Sequence, residues 1–245
     1  MLFDAKKDGK DIMTINFKTI PEQLKNINEQ LQHISWSHPR TIFLLNILSS
    51  YTNAKTFLEI GTYMASVPKI YCEINKLLGK PTDIDFILID NFEDHKNNEV
   101  CDPESLKAFV NNEHNIERVD VFTSLEKVCR QIDIVHFDSV KWQYQLIDQF
   151  DSLVKYFTEH TIYVFDDYIA EWPDVIHCVN HLKREHNLAV LASFGPKIYL
   201  IKRSNKDNIL TQLNSDTLIL DHNFFNIRET IEHGPIVSSA GGLMI

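Results

Sequence analysis

From Thr56 onward the chain alternates short runs of β-branched and aromatic residues with longer stretches whose apolar residues fall at helical spacing. That alternation confines it to folds built on a largely parallel sheet, because parallel neighbours need a long crossover between them and a helix is the usual one. The runs are Thr56-Phe-Leu-Glu-Ile60, residues 84–90, 119–122 and 132–137, and Thr161-Ile-Tyr-Val-Phe165. Helical patterns follow at about 62–78, 103–112, 125–130, 144–157 and 172–182. Asp102 and Pro103 read as the cap and first residue of one of these helices. Two last runs, 188–192 and 197–201, flank Phe194-Gly-Pro196, a turn signal that makes a hairpin. The sequence therefore predicts five parallel strands followed by an antiparallel hairpin.

Two helices are predicted ahead of the first strand. One, at 21–32, carries Leu24, Ile27 and Leu31, and the other begins near Pro39 with Ile42, Phe43, Leu45, Ile47 and Leu48. They could cover the substrate side or an oligomer contact. A chain of 245 residues with 44% hydrophobic content can bury one large core. The expected layout is a single domain over 1–245: a helical segment at 1–53, a core at 54–203, and an appendage with a few short elements at 204–245.

A net charge of -10 disfavours partners bound by phosphate neutralisation, so nucleic acid is not an expected ligand. The N-terminus is charged and lacks an apolar core with a small-residue cleavage site, and the longest apolar candidate, 42–48, is broken by Asn46. A cytoplasmic, soluble protein is the expectation, with no membrane association. Cys72, Cys101, Cys129 and Cys178 form no C-x-x-C pair and fit reduced thiols.

Acidic residues gather where the runs end. Residues 132–137 stop at Asp138, Thr161-Ile-Tyr-Val-Phe165 stops at Asp166-Asp167, and residues 84–89 stop at Asp90. On parallel neighbours these ends share one rim, the rim where open α/β sheets bind ligands. Three carboxylates at Asp138, Asp166 and Asp167 would repel one another without a cation, although Asp is also an ordinary helix cap. His136 lies inside a strand and reads as a core residue. His177 and His181 read as a surface pair, and Trp142, Tyr168 and Trp172 as rim residues able to sandwich a flat substrate or cover the core.

Three segments together resemble the class I S-adenosylmethionine-dependent methyltransferases, and among them the metal-dependent small-molecule O-methyltransferases of the catechol, caffeoyl-CoA and macrocin types. The likeness spans about 56–202. Phe57-Leu-Glu-Ile-Gly-Thr-Tyr-Met-Ala65 is similar to the family's acidic-x-Gly-x-x-x-Gly cofactor loop, with Ala65 where the last glycine belongs. Asp90 matches the carboxylate that accepts from ribose hydroxyls. Asp138-Ser-Val-Lys-Trp-Gln-Tyr144, with Asp166-Asp167 downstream, resembles the family's Asp-x-x-Lys-x-x-Tyr and Asp-Asn pair.

The resemblance implies a Rossmann-like seven-stranded mostly parallel sheet in the order 3-2-1-4-5-7-6, last strand antiparallel, with helices on both faces. It implies S-adenosylmethionine bound by Glu59, Gly61, Tyr63, Asp90, Ser124 and Asp138. It implies a cation, Mg²⁺ or else Mn²⁺ or Ca²⁺, on Asp138, Asp166 and Asp167, a hard oxygen set. Lys141 would be the catalytic base that takes a proton from a sugar, natural-product or phenol hydroxyl. Whether its pKa falls to neutrality depends on burial and the cation against the aspartates. Two other functions compete. A non-catalytic S-adenosylmethionine-binding protein would fit Ala65 and a glycine count of 7, where average usage gives roughly 17. An NAD(P)-dependent oxidoreductase is disfavoured by the lack of Gly-x-Gly-x-x-Gly.

Overall fold

The computed structural model describes residues 20–33, 35, 37–93 and 100–215. The residues before 20, residues 94–99 and the part of the predicted appendage beyond 215 lie outside the described residues. In chain order the elements are α1 (Ile20–Leu31), α2 (Pro39–Ser50), β1 (Thr56–Ile60), α3 (Ser66–Leu77), β2 (Asp85–Ile89), α4 (Pro103–Glu113) and β3 (Val119–Phe122). There follow β4 (Ile132–Phe137), α5 (Gln143–Leu153), β5 (Phe157–Phe165), α6 (Pro173–Glu185), β6 (Leu188–Phe194), β7 (Lys197–Lys202) and α7 (Arg203–Ser215).

The seven strands form one sheet in the order β3-β2-β1-β4-β5-β7-β6. Neighbours from β3 to β5 pair in parallel, and β7 is antiparallel to both β5 and β6. This is the predicted architecture. Alternate residues of each strand feed two separate cores. Phe57, Phe86, Leu88, Ile134 and Tyr199 pack under α1 to α4, whereas Leu58, Ile87, Val135, Phe137 and Phe165 pack under α5 and α6. Period-two burial on both faces is what a doubly covered sheet requires, and it explains why β1 is apolar at nearly every position.

The N-terminal helices belong to the first of these cores. Ile20, Leu24, Ile42, Leu44 and Leu45 are fully buried in it. The buried Tyr199 hydroxyl on β7 donates to Thr41 O at 2.8 Å, and Asn46 Nδ2 donates to Asn75 Oδ1 on α3 at 2.8 Å.

Two local expectations differ from the structure. The helix predicted at 125–130 is a single 3-10 turn, Leu125–Lys127, capped by Ser124. The helix predicted at 144–157 ends at Leu153, a 3-10 turn follows at Val154–Tyr156, and Phe157 opens β5 by pairing with Ile132. Phe150, Leu153, Val154 and Phe157 keep helical spacing, so periodicity alone runs on past the end. Phe157 instead packs its ring on Phe150 at 5.0 Å and on Tyr163 at 5.0 Å from the strand side.

Candidate active site

The chain reverses its direction of travel across the sheet between β1 and β4, and the crevice beyond their carboxyl ends is where open α/β sheets take ligands. Backbone hydrogen bonds staple that rim together. Gly61 N donates to Ile89 O at 2.8 Å, Asp138 N to Ile60 O at 2.9 Å, and Asp166 N to Phe137 O at 3.1 Å. Each strand end thus holds the first loop residue of its neighbour.

Gly61 has no substitute at this place. Its φ is +82°, and a Cβ there would meet Asp138 O at 2.4 Å and Ser139 Cα at 2.6 Å. The glycine lets the β1 loop lie against the β4 loop. Tyr63 and Ala65 also adopt left-handed φ, +47° and +52°, so the backbone bends as a glycine-rich loop would while bearing side chains. Asp90 ties the loop to β2: its Oδ2 accepts from Tyr63 N and its Oδ1 from Phe92 N, both at 2.9 Å. Ser124 lies after β3, two strands out from β1, where its hydroxyl accepts from Glu126 N.

Glu59 is buried in β1 and faces inward. Its Oε2 bonds Thr62 Oγ1 at 2.7 Å and its Oε1 bonds His136 Nδ1 on β4 at 3.0 Å. Burial pushes its carboxyl pKa well above the usual range, against the Thr62 hydrogen bond and Lys197. The chain of bonds continues through His136. Its Nε2 lies 2.9 Å from Lys197 Nζ, and the Lys197 ammonium donates in turn to Asp166 Oδ2. Burial first, then Lys197, pushes the His136 pKa well below its usual value, so the ring is neutral. With the lysine donating to Nε2, the ring proton sits on Nδ1 and is donated to Glu59.

Asp138, Asp166 and Asp167 do come together, and two lysines reach them. Lys141 Nζ contacts Asp138 Oδ1 at 3.1 Å and Asp167 Oδ2 at 2.6 Å. Burial, followed by Asp166, pushes the Asp138 carboxyl up to about 7. Burial would raise Asp166 too, but the charge and hydrogen bond of Lys197 outweigh it and hold that group well below the carboxylate range. For Lys141, burial works downward while Asp138 and Asp167 work upward, and the net direction is upward. Of the effects weighed from the sequence, burial and the aspartates act here, and the aspartates prevail, which keeps Lys141 an ammonium at neutral pH.

Among the described residues, one group of side chains has ligand geometry for a cation: His136, Asp138 and Asp166 offer atoms within 4.8 Å of one another. Asp167 is not in it, nor are His177 and His181. The donors do not fit a divalent ion as they stand. The single lone pair of His136 Nε2 and Asp166 Oδ2 are both engaged by Lys197, and one oxygen each of Asp138 (Oδ1) and Asp167 (Oδ2) is engaged by Lys141.

The sequence does not single out Lys197, which simply opens the last strand of the hairpin. Topology held the signal. Phe165 pairs with Ile198 across antiparallel β5 and β7, so the residue after Phe165 faces the residue before Ile198. Of the aromatic residues expected at the rim, Tyr168 is buried, whereas Trp142 and Trp172 are 60% and 43% exposed. Cys72 and Cys178 are buried with thiols pushed up to about 12 by burial, which leaves them unreactive.

No family model matches this sequence, and no curated protein matches it. Solved structures do. A Staphylococcus aureus protein provisionally described as a caffeoyl-CoA O-methyltransferase superposes with a TM-score of 0.55 at 16% identity, covering 74% of this chain and 91% of that one. TomG from Streptomyces achromogenes, an O-methyltransferase of tomaymycin synthesis solved with S-adenosylmethionine, gives 0.51 at 15% identity, over 74% and 90%. CalS11, a TDP-rhamnose 3'-O-methyltransferase of calicheamicin biosynthesis, gives 0.50 at 12% identity, over 76% and 92%. The fold is therefore that of the Rossmann-like O-methyltransferases.

Proposed function

We propose that this protein is an enzyme that transfers a methyl group from S-adenosylmethionine to a hydroxyl of a small molecule. The observation that carries the reading is the convergence, at the switch point of a methyltransferase-like sheet, of the Gly61 loop, Asp90 and the charged cluster of Asp138 and Lys141. A cofactor laid across the β1 end would meet the loop backbone at 61–63, with the Asp90 carboxylate, which already orders that loop through Tyr63 N, as the acceptor facing ribose hydroxyls and Glu59 acting from beneath through Thr62. Ser124 lies toward the adenine side of such a pose.

The reaction is an in-line displacement. The acceptor oxygen bonds to the methyl carbon as the sulfonium–carbon bond breaks, and the hydroxyl proton leaves. Lys141, about a fifth exposed, is the charged group best placed to meet the acceptor oxygen. As an ammonium it orients that oxygen and stabilises negative charge as the proton departs. To act as the base it must first pass its own proton along the 3.1 Å contact to Asp138.

Exposed Trp142 directly follows Lys141, and exposed Trp172 precedes α6 beyond Asp167. Such flat, half-apolar faces suit a sugar or aromatic natural product as acceptor. A cytosolic location accords with this substrate class, and among the described residues no helix is long and apolar enough to cross a membrane. Calorimetry with S-adenosylmethionine, run with and without Mg²⁺, tests the reading. Saturable binding is expected, and its absence under both conditions removes the proposal. A binding protein without turnover is the second reading, favoured by left-handed Tyr63 and Ala65 where the family loop has freer residues. Binding without methyl transfer over a broad acceptor panel would select it.

A further inference from the structure

We propose that the ammonium of Lys197 stands in the place of the rim cation and makes this centre independent of divalent metal. The inference rests on reading the rim as a methyl-transfer site, but its geometry is a property of the residues alone. Lys197 is 1% exposed, fixed by β7, and its Nζ reaches His136 Nε2 and Asp166 Oδ2, two of the three groups with metal-ligand geometry. The third, Asp138, is held by Lys141, which also holds Asp167.

A divalent ion bound at Asp166, with oxygen at about 2.1 Å, would share an acceptor atom with a buried ammonium that has no solvent to retreat into. Like charges so close in a low-dielectric site repel strongly. The pairing of charges points the same way: Asp138 and Asp167 share one ammonium, Lys141, and Asp166 has a second, Lys197. His136 is placed as a ligating imidazole would be, since such a ring commonly donates its other N–H to a carboxylate and Glu59 is in place, but the ligand position across the ring is filled by Lys197.

Lys197 is accordingly a positioning residue. It fixes Asp166 beneath the rim and leaves Lys141 as the cation that meets the acceptor. Removing its charge should expose a vacant ligand set and create metal affinity that the natural protein lacks.

The test is Mn²⁺ binding followed by electron paramagnetic resonance and calorimetry on the full chain, in wild type and in Lys197→Met, with Lys197→Gln as a second variant should the first fail to melt cooperatively. The expected result is no stoichiometric Mn²⁺ in wild type and binding tighter by at least about tenfold in the folded variant, lost again when Asp166→Asn is added. One Mn²⁺ per wild-type chain, abolished by Asp166→Asn, would overturn the proposal, and so would absence of binding in both folded variants. S-adenosylmethionine titrated into chelator-treated wild type separates the two ideas. Failure there and again with Mg²⁺ added removes the methyl-transfer reading, while the Mn²⁺ comparison still decides Lys197.

Discussion

Gly61 shows how much one side chain can decide at this rim. An alanine there would put a methyl group against the Asp138 carbonyl, at a φ that L-residues rarely adopt. Gly61→Ala should cost about 1–3 kcal/mol, read as a lower urea midpoint, and weaken S-adenosylmethionine binding because the two loops must part. An unchanged midpoint would mean that the loops separate freely. The sequence marked Gly61 as a cofactor-loop residue, and the structure adds a reason that holds without any cofactor. His114 offers a pH test. It follows α4, its Nε2–H donates to Met64 O at 2.9 Å, and burial lowers its pKa, with Lys69 adding to the effect. Above the unfolded value of about 6.5 both states are neutral. Below it the unfolded chain takes the proton first, so this contribution to stability falls with pH until the folded pKa is reached. Wild type should therefore lose more melting temperature than His114→Gln between about pH 7.5 and about pH 5.5. Equal losses would clear His114 of the effect.

At the scale of elements, the strand ends were legible and the helix ends less so. β1 and β4 start and stop where apolar runs meet turn or acidic residues, because a strand buried on both faces leaves a nearly continuous pattern, whereas edge strand β3 shows itself by alternation. α5 and the 3-10 turn after β3 were misjudged since apolar spacing persists past a helix end when the next strand also starts apolar. α4 has a sharper start. Asp102 accepts from Ser105 N at 2.8 Å while Ser105 Oγ accepts from Asp102 N at 3.1 Å, a capping box that a sequence reader finds in Asp-Pro. Asp102→Ala should lower stability by about 0.5–2 kcal/mol in denaturant titration, and a neutral result would show that the helix start is held by packing instead. The pairing of β7 with α2 is different in kind. Tyr199→Phe removes the second hydrogen bond to the Thr41 carbonyl, which keeps its place in α2, with an expected cost of about 0.5–1.5 kcal/mol. Smaller changes would indicate that α2 shifts to find another donor.

Across the whole molecule, the N-terminal helices are wall rather than ornament. Ile20, Leu24, Ile42, Leu45 and Leu48 bury against the same core as Phe57 and Phe86, so a chain starting at residue 54 would expose that face. Such a deletion should lose cooperative thermal unfolding and near-ultraviolet circular dichroism, and a deletion that melts sharply would show that the sheet needs no cover there. The sequence by itself determined the alternation of strands and crossovers, the hairpin at the end, and the carboxylates at Asp138, Asp166 and Asp167, because periodicity and chain breaks are local properties of neighbouring residues. It could not say what answers those three charges. That was decided by tertiary structure alone: antiparallel β7 brings its first residue back to the rim where parallel β5 ends, and a lysine far along the chain arrives where a cation was expected. Strand order sets which ends meet, and no local pattern encodes the charge that a distant strand delivers.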